Sequence, residues 1–308
     1  LTLYPLYFQE YLTAAGEELL VEHLEGLTPG RRLSDAIHNR LMDHLKLYYF
    51  IGGMPEAVAH YLHHKDVRAV RKIQVEILSA YRRDFSKYAN KTQALKNAEV
   101  WDSIPAQLAK EKKKFKYSDV RKNARASMYD QSIEWLSSAG LLHQSLNVNA
   151  PKIPLSGYAD TSKFKAYMHD VGLLGALLNV ASKQFILPNG VFREYNGAFV
   201  ENFVAQELVA EGQEKLFYWT SKSDAEIDFI LDSDDQVFPV EVKSGLNRHK
   251  KSLHSYEEKY APGAVFRLSP RNFDHSGSFY NLPLYATFLL KKWLPLLAAQ
   301  PPDKMDLA

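Results

Sequence analysis

The stretch DAEIDFILDSDDQVFPVEVKSG, residues 224–245, places carboxylates inside two apolar, strand-like runs. Asp228 sits within Ile-Asp-Phe-Ile and Glu241 within Val-Glu-Val-Lys. Burying a carboxylate among branched apolar residues costs several kcal/mol unless something compensates it. A hairpin turning on Asp234-Asp235 pairs residues whose numbers sum to 469, which sets Asp228 opposite Glu241, with Cβ atoms about 5 Å apart. A slip of one residue would turn one side chain to the other face, so the turn decides the pairing. Alternation along the strand puts Lys243 on the same face as Glu241.

Two compensations are open. One is an internal ion pair of Lys243 with Asp228 or Glu241 in a structural hairpin. The other is a divalent metal, Mg²⁺ or Mn²⁺, bound by Asp228 and Glu241, because hard cations take carboxylate oxygens and fill their remaining positions with water and phosphate. Lys243 would then orient or deprotonate a metal-bound water for attack on phosphorus. Glu201 adds to the second reading. It lies in ENFVAQEL on a helix face shared with Val204, Ala205 and Leu208, where a carboxylate is out of place unless it too reaches the site.

A length of 308 residues is a prior for two or three domains, and 46% hydrophobic with 24% charged residues is globular composition. The absence of cysteine excludes disulfides and thiolate zinc sites and fits a reducing cytoplasm, where we place the chain. No apolar run approaches the ~18 residues of a membrane helix and no signal peptide opens the chain, so no membrane partner is expected. The chain starts at LTLYPL without Met, which suggests a fragment.

Three regions follow from the pattern. Residues 1–90 read as helices, with Ser34 as an N-cap and the IGGMPEAV stretch turning the chain before Pro55 opens the next helix. Residues 91–190 read as a helix interrupted by Pro105, a short helix, a longer helix ending at Gly140 and a two-stranded ribbon. That order resembles a winged helix-turn-helix. Residues 191–308 read as helix, three strands, helix and strand, closed by a helix over LPLYATFLLKKWLPLL. The fold class expected is α+β multidomain.

The last region, with its helix Glu and strands carrying Asp and Glu-x-Lys, resembles the PD-(D/E)xK restriction-endonuclease-like fold, α-β-β-β-α-β. The resemblance implies catalytic roles for Glu201, Asp228, Glu241 and Lys243, with Asp228 and Glu241 as metal ligands. Ile227 stands where many members have Pro. Across nearly all the chain, LYPLYFQEYL, YYFIGGMPEAV, FKAYMHDVGLL, ENFVAQEL and YWTSKSDAEIDFI together resemble the C-terminal part of prokaryotic AAA-superfamily ATP-binding proteins that carry a C-terminal domain of unknown function. That family implies an upstream P-loop module. No G-x-x-x-x-G-K-[ST] occurs here, so ATP is expected only through that upstream part.

The best nucleic-acid footprint is LAKEKKKFKYSDVRKNAR, residues 108–125, where eight Lys/Arg face Glu111 and Asp119. Lys112, Lys113, Lys114, Lys116, Arg121, Lys122 and Arg125 are the candidate phosphate contacts, and a solvated helix face is the plain alternative. SMYDQS lacks the Arg and Lys that read guanine edges, so backbone contact without strong sequence readout is expected. Arg248, Lys250 and Lys251 of GLNRHKK could hold phosphates beside a scissile bond. The adjacent His63-His64 pair points two ways on a helix and is expected at the surface. Two functions follow: a Mg-dependent nuclease delivered to DNA by a winged helix, or a catalytically inactive nuclease fold that binds DNA or protein for an AAA-type ATPase.

Overall fold

The computed structural model describes residues 3–181, 196–221, 225–245 and 251–299. The chain is α+β and divides into two compact units, each assembled from three stretches: 1–15, 45–144 and 165–206 in the first, 16–44, 145–164 and 207–308 in the second.

The first unit is mainly helical. Its long helices Val67–Tyr88 and Lys91–Leu108 start on side-chain caps. Asp66 accepts the N–H groups of Arg68 and Ala69, and Asn90 accepts that of Gln93. Pro55 occupies the first turn of Pro55–His64, as the sequence suggested. Pro105 does not interrupt its helix, contrary to the sequence reading: Lys91–Leu108 is continuous. The proline lies in the last turn, so few bonds are lost, and it is buried with Trp101, Ile104 and Leu108. Phe8, Tyr11, Tyr48, Tyr49 and Phe203 pack ring against ring, with centroids 5.3–6.3 Å apart.

Two glycines in this unit allow close approach of neighbouring groups. A Cβ on Gly53 would stand 2.0 Å from the Leu6 carbonyl oxygen, and Gly52, at φ +72, would meet Asp170 at 2.3 Å. Asp170 binds the Gly53 N–H at 2.6 Å and caps Val171–Leu177 through the Leu173 N–H at 2.8 Å. Gln74 donates to the carbonyls of Phe50 and Ile51 at 2.9 and 2.8 Å. The IGGMPEAV and FKAYMHDVGLL stretches are thus one buried lock.

The second unit carries the strands: β1 (Leu142–Val148), β2 (Ala159–Met168), β3 (Leu216–Thr220), β4 (Glu226–Ile227), β5 (Phe229–Ser233), β6 (Gln236–Val242), β7 (Val265–Ser269), β8 (Asp274–Ser276) and β9 (Phe279–Pro283). The first three residues of β1 and the end of β2 from Lys165 belong to the first unit. Two mixed sheets result, ordered β2-β1-β3-β4 and β5-β6-β7-β9-β8. Their shared core contains Trp219, Ile227, Ile230 and Val265 with Leu253 and Tyr256 of the helix Lys251–Tyr260.

The β8-β9 hairpin is an addition to the expected order. Gly277 at φ +55 turns it, and β9 takes Leu282 and Pro283 from the run read as helix. The closing helix is confined to Leu289–Ala298. No described helix is long and apolar enough to cross a membrane.

Candidate functional site

The hairpin at the centre of the sequence argument forms on the expected register. Asp234 and Asp235 both take positive φ, 45° and 63°, which a two-residue turn matched to strand twist requires. The ladder runs from Ser233↔Gln236 to Phe229↔Val240. One step further, Asp228 and Glu241 would oppose each other. There the chain changes sheets: Ile227 pairs with Trp219, not with Val242. Asp228 sits at that corner, and its Oδ2 accepts the Val242 N–H at 2.8 Å. Lys243 donates its N–H to Leu268 of β7, so alternation turns the Val242 N–H toward β5. The carboxylate therefore supplies the acceptor that the diverted strand withdraws.

Glu241 is 1% exposed. Its strand neighbour across β6-β7 is Arg267, also 1% exposed. Arg267 donates to Glu241 Oε2 through Nη2 at 2.8 Å and Nε at 3.1 Å. Its guanidinium carbon stands 5.5 Å from the Phe279 ring centre. Lys243, partly exposed, reaches Glu241 Oε1 at 3.0 Å. Two carboxylates and two cations thus balance within this corner. The register extends the polar row from Glu241 and Arg267 to Asn281 and Asp274. Arg267 is the residue that sequence reasoning missed. A charged residue inside the apolar run AVFRLS was the same signal that drew attention to Glu241.

The carboxylates of Asp228 and Glu241 already have protein partners. Both Glu241 oxygens are engaged by cations and one Asp228 oxygen by a backbone N–H. Among the described residues, no three His, Cys, Asp or Glu side chains converge as metal ligands would.

Glu201 has partners of its own in the first unit. It lies in the helix Asn196–Ala210 and is 2% exposed, as its face suggested. Lys165, fully buried in β2, donates to its Oε1 at 2.7 Å, and Tyr167 donates at 2.5 Å. Lys113 pairs with Oε2. Burial raises the carboxyl pKa, but the two lysines outweigh it and hold the group below the usual carboxylate range. The same helix clamps the end of β2. Asn202 accepts from the Met168 N–H at 2.8 Å and donates to its carbonyl at 3.0 Å, while Gln206 accepts the Val171 N–H at 2.9 Å.

The basic segment lies between the helices Lys91–Leu108 and Ala126–Ser138 and contains the short helix Tyr117–Val120. Lys114 forms an antiparallel bridge with Lys165 of β2. Lys112, Lys114, Lys116, Arg121, Lys122 and Arg125 are exposed, whereas Lys113 is committed to Glu201. Arg121 approaches Glu99 at 4.0 Å. The helix Ala126–Ser138 exposes Ser127, Met128, Asp130, Gln131 and Glu134, with no Arg or Lys among them. Tyr117 donates to Asp130 at 2.6 Å. Lys251 is exposed at the start of its helix, while Arg248 and Lys250 lie outside the described residues.

Residues 42–184 match the model of a domain of unknown function, DUF8612, and residues 196–286 match that of a second, DUF4143. No curated protein and no solved structure matches the chain.

Proposed function

We propose that this chain binds nucleic acid through the phosphate backbone, using a winged-helix module whose basic segment spans residues 110–125. The exposed lysines and arginines of that segment carry the reading. The winged-helix assignment is supported by the order helix, bridge, short helix, helix and two strands, and by the Lys114–Lys165 bridge, which sets the segment after the first helix beside the second ribbon strand. Without Arg or Lys on the exposed face of Ala126–Ser138, base edges go largely unread. The C-terminal region, read as a PD-(D/E)xK-like fold, serves as a binding scaffold without a metal centre. Arg267 in place of an ion beside Glu241 supports that role. The family resemblance and the DUF4143 match support placing the module behind an AAA-type ATPase.

The test is anisotropy titration of labelled DNA duplexes of unrelated sequence at low salt. Similar affinities for all of them support the reading, and no binding to any overturns it. Duplex cleavage dependent on Mg²⁺ or Mn²⁺, and lost in Glu241→Gln, would instead establish the nuclease.

A further inference from the structure

The helix Pro55–His64 ends on His60, Tyr61, Leu62, His63 and His64. The adjacent pair diverges, with the His63 and His64 ring centres 6.4 Å apart. His60 and His64 are one turn apart and share a face, as i,i+4 residues do. Their ring centres are 4.6 Å apart, with the planes at 41°. The turn that carries them is fixed: Lys65 adopts φ +55, and its N–H bonds the Tyr61 carbonyl at 2.8 Å. His64 is exposed and His60 is partly so, which leaves the pair open to solvent. Asp66 follows as the N-cap of the next helix.

We propose that His60 and His64 chelate a borderline divalent transition ion such as Zn²⁺ or Ni²⁺. Imidazole nitrogen suits these ions, and two histidines at i and i+4 on one helical face can present their rings to one ion. The site lies on the last turn of the helix, where the negative end of the macrodipole favours a cation. The helix already holds both rings, so the second bond forms at a high effective concentration. No third His, Cys, Asp or Glu converges among the described residues, so water completes the coordination sphere. His63, facing another way, is not a ligand.

Isothermal titration of the chain with zinc chloride tests this. Wild type binds, His60→Gln and His64→Gln each weaken that binding roughly tenfold or more, and His63→Gln leaves it within about twofold. Native circular dichroism for each variant confirms that the chain stays folded. Absence of zinc binding up to millimolar ion, or loss in His63→Gln equal to that in His64→Gln, overturns the proposal.

Discussion

Arg267 on β7 holds the buried carboxylate of Glu241 on β6 through two guanidinium nitrogens, at 2.8 and 3.1 Å. This contact, with Lys243 at 3.0 Å, answers the question raised by an acid inside an apolar strand. The compensating charges come from the sheet itself.

Removing one partner of a buried pair leaves the other uncompensated. Arg267→Met should therefore destabilise the chain by about 3–5 kcal/mol in urea unfolding. Glu241→Met added to it should recover most of that loss, because an apolar pair of similar volume leaves no stranded charge. A double variant as unstable as the single would show that Arg267 acts by shape and not by charge.

Gly53 is a second sharp constraint. Gly53→Ala forces a Cβ to within 2.0 Å of the Leu6 carbonyl oxygen, and backbone on both sides resists the shift. A loss of about 3 kcal/mol or more is expected, whereas Gly245→Ala, with open space around it, should change stability by less than about 0.5 kcal/mol. Equal thermal midpoints for the two variants would contradict the lock.

His169 and Asp170, adjacent in sequence, should pull the pH profile in opposite directions. Burial, and then the charge of His143, hold His169 down to about 3, so the folded protein refuses a proton that the unfolded chain takes. Its stabilising contribution is present above the ordinary histidine range and is lost as pH falls from about 6.5 toward 3. Burial pushes Asp170 up to about 6, against the backbone donors of Gly53, Leu173 and Gly172. Its contribution grows as pH falls from about 6 toward 4 and is lost as pH rises. Denaturant midpoints between about pH 7 and pH 5 should thus show less acid loss in His169→Gln and more in Asp170→Asn than in wild type. Profiles parallel to wild type would show that neither group titrates differently on folding.

The hairpin was legible because turn chemistry fixes register: Asp234 and Asp235 take the left-handed conformation, and every pair from Ser233 to Phe229 follows. Its end was not legible. Whether Ile227 continues the ladder or leaves for Trp219 depends on the second sheet, which local pattern does not encode. The burial of Glu201 could be read from its helical face, but its partners could not. Lys165 lies 36 residues upstream, in a strand whose alternation hides a buried lysine between Phe164 and Ala166. Lys113 looked like one more phosphate contact in a basic run, and only the fold separates it from its exposed neighbours.

That separation gives the central test, the salt dependence of duplex binding. Each phosphate contact contributes about −0.9 to the slope of log Kobs against log[salt]. Substituting Gln at Lys114, Lys116, Lys122 and Arg125 together should flatten the slope by about 3–4 and weaken all duplexes alike. Lys113→Met should instead lower folding stability and leave the slope of the folded protein nearly unchanged. An unchanged slope in the fourfold variant would place the phosphate contacts elsewhere and contradict the account.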